Sequence, residues 1–261
     1  MSGRNAIPAR SVTSKALAIL DTFGPGDQQL TLSEIGERTG LPLSTAHRLT
    51  NELVRWGGLE RASRGTYRVG LRLWEIGSLA PSRSGLRDIA IPFMEDLYEA
   101  THENVQLAVL AGHEALFVEK ISGRHSVAIV TRVGGRLPLH ATGVGKALLA
   151  FAPVEFRETV LSRELPRLTS YTITDPDVLR RNLEEARRLG YATTRDEMTL
   201  GSVSVAAPVF GADGEAVAAL SLVVRAQGAD VARLAMPVRT AALSLSRRVA
   251  EAWDGTLPLA G

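Results

Sequence analysis

The sequence predicts two unlike domains, a small, mainly α-helical one closed by a β-hairpin and a larger α+β one built on an antiparallel sheet. Three observations predict this. Thr31 to Leu53, TLSEIGERTGLPLSTAHRLTNEL, holds two helical patterns on either side of Gly40. Two strand-like runs follow at once, Leu59 to Arg61 and Thr66 to Val69, around the polar connection Ala62-Ser63-Arg64-Gly65. From Asn104 the hydrophobic period changes from that of a helix to that of strands joined by short turns.

The bulk numbers admit this layout. A chain of 261 residues is long enough for two ordinary domains, and 45% hydrophobic with 22% charged residues is the balance of a folded protein. No apolar run is long enough to cross a bilayer, and no basic start leads into an apolar core and cleavage site, so no membrane partner and a cytoplasmic location are expected. The absence of cysteine excludes disulfides and cysteine-ligated zinc and is compatible with a reducing compartment. The net charge of +2 is unevenly spread, with +3 on Met1 to Gly70 and −1 on the remainder. An excess on the helix–turn–helix segment suits a phosphate-facing module. It is modest, so a single copy would bind weakly and two copies on one site would compensate.

In chain order, residues 1–10 show no periodicity and read as a flexible, basic arm. Ser11 or Thr13 can cap a helix with the apolar stripe Ala16, Leu17, Leu20 and Phe23, which Gly24-Pro25-Gly26 ends. Thr31 and Glu34 stand at capping-box spacing, and Gly40 supplies a left-handed turn. Pro42 suits the entry of a second helix, where its missing N–H would be unpaired anyway. Ala46, Leu49 and Leu53 share one face of that helix, leaving Ser44, Thr45, His47, Arg48 and Asn51 mostly on others. This is the build of a helix-turn-helix whose second helix enters the major groove of double-stranded DNA, and a hairpin directly after it is a wing. Arg48 suits guanine, Asn51 adenine, and Arg64 at the wing tip, with Arg10, a backbone or minor-groove contact.

Gly70 to Ser82 reads as a short helix apolar on more than one face, closed by Pro81 with Ser82, Ser84 and Gly85. It suits packing on its own domains or on the same helix of a second chain. Leu86 to Thr101 is amphipathic. Strands are expected at Val105–Leu110, Ala115–Ile121, Ser126–Val133, Val203–Phe210 and Ala216–Val224, and helices at Ala147–Phe151, Pro153–Arg163, Val178–Leu189 and Val231–Ala252. Gly143, Gly145 and Lys146 do not make a phosphate loop, because His140 and Ala147 stand where it needs glycine and Ser or Thr. Glycines at a helix start still suit an anion, and an organic carboxylate better than a nucleotide. Histidines 102, 113, 125 and 140 lack metal-ligand spacing, and neither a metal nor a cofactor is expected.

The whole chain resembles the IclR (isocitrate lyase regulator) family of bacterial transcriptional regulators. The stretches LTLSEIGERTGLPLSTAHRLTNELVRWGGLER, GGRLPLHATGVGKALLAF and GYATTRDEMTLGSVSVAAPVFGADGEAVAALSL carry the resemblance. It implies a winged helix-turn-helix at 11–70, a linker helix at 71–84 and, at 85–261, an effector-binding and oligomerisation domain of α+β, GAF/profilin-like type. It also implies a homo-oligomer, dimer or dimer of dimers, on a near-palindromic operator, with operator affinity changed by a small organic acid. The effector pocket it implies maps onto Leu137, Gly143, Val144, Ser204 and Ser221. Two departures reduce polarity: Leu222-Val223-Val224-Arg225 follow Ser221 where some members have Ser-Gly-Pro, and Thr194 stands where some have an acid. A less polar carboxylate, aromatic ones included, is therefore expected. The alternative from another class is a small-molecule enzyme with an N-terminal association domain, using His140 and Lys146. No cluster of acid, base and nucleophile supports it.

Overall fold

The computed structural model describes residues 11–24, 27–79, 81–124 and 126–252. The arm at 1–10, with Arg10, the Pro25-Gly26 part of the first helix stop, and His125 lie outside the described residues. The chain folds as two compact units that divide between Pro81 and Ser82.

In the first unit, α1 (Val12–Leu20) is capped by the Ser11 hydroxyl, which accepts the Ser14 N–H at 3.0 Å. The strand β1 (Leu30–Thr31) runs into α2 (Leu32–Thr39). Thr31 accepts the Glu34 N–H, and Glu34 Oε2 accepts the Thr31 N–H at 2.7 Å, a reciprocal cap. Gly40, at φ 67°, turns the chain into α3 (Leu43–Trp56). The strands β2 (Leu59–Arg61) and β3 (Thr66–Val69) form a three-stranded sheet in the order β1-β3-β2. Ile19, Leu30, Ile35, Leu49, Leu59 and Tyr67 make its core. Leu71 N–H then donates to Glu60 at 3.2 Å and starts α4 (Leu71–Ser78). Leu71 and Trp74 are 62% and 70% exposed, so this unit does not cover the apolar side of α4.

The second unit opens with α5 (Pro81–Thr101). Pro81 therefore starts a helix rather than closing the one before it, and Ser82, Ser84 and Gly85 lie inside α5. A proline is tolerated in a first turn because no backbone bond is lost there. Next come β4 (Asn104–Ala111), β5 (Glu114–Ile121), β6 (Arg136–Pro138), α6 (Gly143–Phe151), α7 (Val154–Leu161) and α8 (Pro176–Leu189). The strands β7 (Ala192–Arg195), β8 (Ser202–Phe210) and β9 (Ala216–Arg225) and the helix α9 (Val231–Ala252) complete it. The sheet is antiparallel throughout, in the order β6-β5-β4-β9-β8-β7. Alternation sorts its two faces. Val105, Leu107, Leu220 and Leu222 pack with Leu86, Met94, Val238 and Leu245 of α5 and α9. Ala108, Phe117, Ala206 and Ala219 pack with α6 and α8.

Two further expectations are corrected. Residues 126–133 form no strand. The free edge of β5 is taken by the chain just beyond them: Phe117 bonds Gly134 and Gly135, and β6 pairs with Glu114 to Leu116. The carbonyls of Val127 and Thr131 accept instead from Asn104 Nδ2 at 2.9 Å and Lys120 Nζ at 3.1 Å. The helix expected from Ala147 starts at Gly143, because Thr142 caps it by accepting the Gly145 N–H at 3.1 Å.

Candidate functional site

On α3, Ala46, Leu49 and Thr50 turn inward, while Ser44, His47 and Arg48 are exposed and Thr45 and Asn51 half-buried. Residues 44, 47, 48 and 51 follow the helical repeat, so they form one polar stripe. Arg64 sits at the exposed tip between β2 and β3 with φ 59°. Among the described residues neither Arg48 nor Arg64 has a carboxylate partner, whereas Arg38, Arg55 and Arg68 pair with Asp27, Glu52 and Glu60. Both are thus uncompensated and available to phosphate or base.

Sequence reasoning missed Arg61. Its guanidinium donates to Asn51 Oδ1 at 2.8 Å and lies 5.9 Å from the centre of the Tyr67 ring. With Oδ1 so engaged, the Asn51 amide nitrogen, 3.0 Å from His47 Nε2, is the donor to that ring nitrogen. The wing strand and the polar stripe of α3 therefore share one hydrogen-bonded chain. Asn51 has one amide hydrogen outside that chain to offer a base.

In the second unit a narrow cavity lies against the start of α6. Leu137, Gly143 and Ser204 line it, with Phe117, Ile129, Leu137, Met198 and Val223 forming apolar wall. Val144 does not line it but is buried in the core beside it, and Ser221 lies behind the wall, fully buried on β9. Gly143 is required sterically: a Cβ there would come within 2.3 Å of Ser204 Oγ, so only glycine lets α6 approach β8 so closely. Thr194 and Val223, the two positions of reduced polarity, both face the cavity. So does a residue the sequence did not single out, Gln106. The signal for Gln106 was present: it is the one polar side chain within the run Val105 to Ala111. Wider concavities lie elsewhere on the unit, one of them beside Arg187, Arg239 and Leu243.

The rival catalytic pair is engaged elsewhere. Lys146, with no exposed surface, donates to Glu197 Oε1 at 2.7 Å. Burial pushes the lysine down from its usual range and the carboxyl up, and their mutual attraction opposes both. His140 Nε2 lies 3.0 Å from the Pro166 carbonyl, and burial holds the ring below the ordinary imidazole value. Neither side chain lines the cavity. Among the described residues no cluster could hold a metal ion, and no helix is long and apolar enough to cross a membrane.

With this geometry in place, comparison with known proteins gives a consistent result. Residues 12–63 match the IclR helix-turn-helix domain, and residues 79–247 match the bacterial transcriptional regulator IclR C-terminal domain. The chain is 34% identical to the HTH-type transcriptional regulator KipR of Bacillus subtilis (strain 168), over 90% of this chain and 95% of that protein. It is 31% identical to the HTH-type transcriptional regulator XynR of Escherichia coli (strain K12), over 92% and 98%. Among solved structures, an IclR homolog from Microbacterium hydrocarbonoxydans complexed with 4-hydroxybenzoate superimposes with a TM-score of 0.87 at 39% identity, covering 92% of this chain and 99% of that one. The Thermotoga maritima IclR superimposes with a TM-score of 0.75 at 31% identity, covering 91% and 98%.

Proposed function

The chain belongs to the IclR family of bacterial transcriptional regulators, and from that premise we propose how it reads DNA and which ligand it senses. It is a regulator with a helix-turn-helix and an effector-binding domain, not an enzyme, as its relatives are. In the proposed reading, residues 11–70 bind DNA, 71–84 link, and 85–261 bind effector and oligomerise. The helix α3 enters the major groove, where Ser44, Thr45, His47, Arg48 and Asn51 face base edges. Arg48 on guanine and Asn51 on adenine would each discriminate by roughly 1–3 kcal/mol. Arg64 contacts backbone or minor groove. Two copies bind a near-palindromic operator in the cytoplasm, alone or as a dimer of dimers.

The effector is a small organic acid whose carboxylate meets the backbone N–H of Gly143, where the α6 dipole favours negative charge. Leu137 and Ser204 contact it, and Ser221 supports the wall. One observation carries this reading: the start of a buried helix opens onto a cavity walled by buried polar side chains. Thr194 and Val223 in that wall favour a less polar acid, and the similar Microbacterium protein holds an aromatic one, 4-hydroxybenzoate. For operator affinity to change, the acid must bind one arrangement of the two linked units better than another. The segment through α4 is the covalent route between them.

Mobility shifts on the chain's own upstream region, with calorimetric titration of an acid panel, test this. A specific shift altered by benzoate-type acids is expected. No shift at low ionic strength, or a response only to two- and three-carbon keto acids, would overturn it.

A further inference from the structure

The cavity contains a hydrogen-bond donor that has no partner among the described residues. Gln106 sits on β4, 3% exposed, on the sheet face shared with Ala108 and opposite Val105 and Leu107. Its Oε1 accepts from Ser221 Oγ at 3.4 Å. Its Nε2 is buried with no partner, and the residue lines the cavity. An amide donor held out of water without an acceptor is costly, and native structures seldom keep one without a use.

Register gives its place relative to Gly143. Gln106 pairs with Ser221 on β9, which pairs with Ala206 on β8. Ser204 lies two residues along β8, and the start of α6 rests on it. Gln106 and the strand on which Gly143 rests are therefore two strands apart, about 10 Å across the sheet at the usual strand spacing.

We propose that Gln106 is a specificity-determining residue of the effector site, donating Nε2–H to an oxygen acceptor at the end of the ligand remote from its carboxylate. This rests on the proposed effector reading and narrows it. The ligand class becomes a monocarboxylate with a second oxygen across the molecule, phenolic or carbonyl. A methyl in that place strands the donor, and a site built to hydrogen-bond rejects an analogue lacking the group far more strongly than it rejects a change of size.

Calorimetric titration of the full-length protein with benzoate, 4-methylbenzoate and 4-hydroxybenzoate tests it. The native protein is expected to prefer 4-hydroxybenzoate to the size-matched methyl acid by at least tenfold. Gln106→Met, similar in shape but without the donor, should bind benzoate within about threefold of the native protein and lose that preference. Gln106→Glu, which keeps the length and an acceptor for Ser221, should also lose it, and covers the case in which the methionine variant does not fold. Binding of all three acids with no hydroxyl preference in the native protein, or a preference that survives in a folded variant, overturns the role of Gln106 alone. No heat with any of them overturns the effector reading and this inference with it.

Discussion

At the scale of single residues, the Lys146–Glu197 pair shows how burial sets the value of a charge. The lysine has no exposed surface, and Glu197 is itself only 6% exposed. Each charge is tolerated only because the other is 2.7 Å away. Removing one partner, as in Lys146→Met or Glu197→Gln, is expected to cost about 3–5 kcal/mol, the range for stranding a buried charge. The double variant Lys146→Met/Glu197→Leu should recover most of that loss. Denaturant unfolding of the four proteins checks this; additive losses in the double variant would show that the pair is not coupled. Lys146 was visible in the sequence beside its glycines, but its partner stands 51 positions away, and no spacing rule joins them.

At the scale of elements, the helix-turn-helix was readable because its determinants are local. The Thr31–Glu34 cap, the Gly40 turn and the apolar repeat of α3 each involve residues a few positions apart. If α3 reads bases and the wing holds the backbone, Arg48→Ala and Arg64→Ala should differ in kind. The first is expected to lower specific binding by about 1–3 kcal/mol and relax base preference at one position. The second should weaken specific and random duplexes alike and reduce the salt slope by about one. Salt-dependent binding to both duplexes distinguishes them, and equal losses on specific and random DNA for both variants would refute the assignment. Arg61 escaped notice because a strand arginine ordinarily reads as solvated. Its bond to Asn51 crosses from wing to helix. Residues 126–133 misled for the converse reason, since their β-branched pattern suits a strand but the β5 edge was already taken.

At the scale of the whole molecule, each of the two units packs around its own buried residues, fewer in the first than in the second. The first unit has the smaller core, and a domain of that size buries a smaller share of its surface than a large one. Calorimetry at low salt should therefore resolve two unfolding transitions, the smaller enthalpy at the lower temperature. Specific duplex should raise that transition and an effector acid the other, since each stabilises the state that binds it. A single transition, moved equally by both ligands, would show the units unfold as one body.

The sequence by itself determined the helix-turn-helix with its Thr31–Glu34 cap, the polar stripe of α3 and the family, because these rest on periodicity and on neighbours along the chain. Only the tertiary structure decided which edge β6 occupies, that Val144 and Ser221 stand back from the cavity, and that Gln106 aims an unused donor into it. The Gln106–Ser221 contact spans 115 positions. Its partners are set by sheet register and by the close approach that Gly143 permits, which are properties of packed strands and helices and leave no local pattern to read.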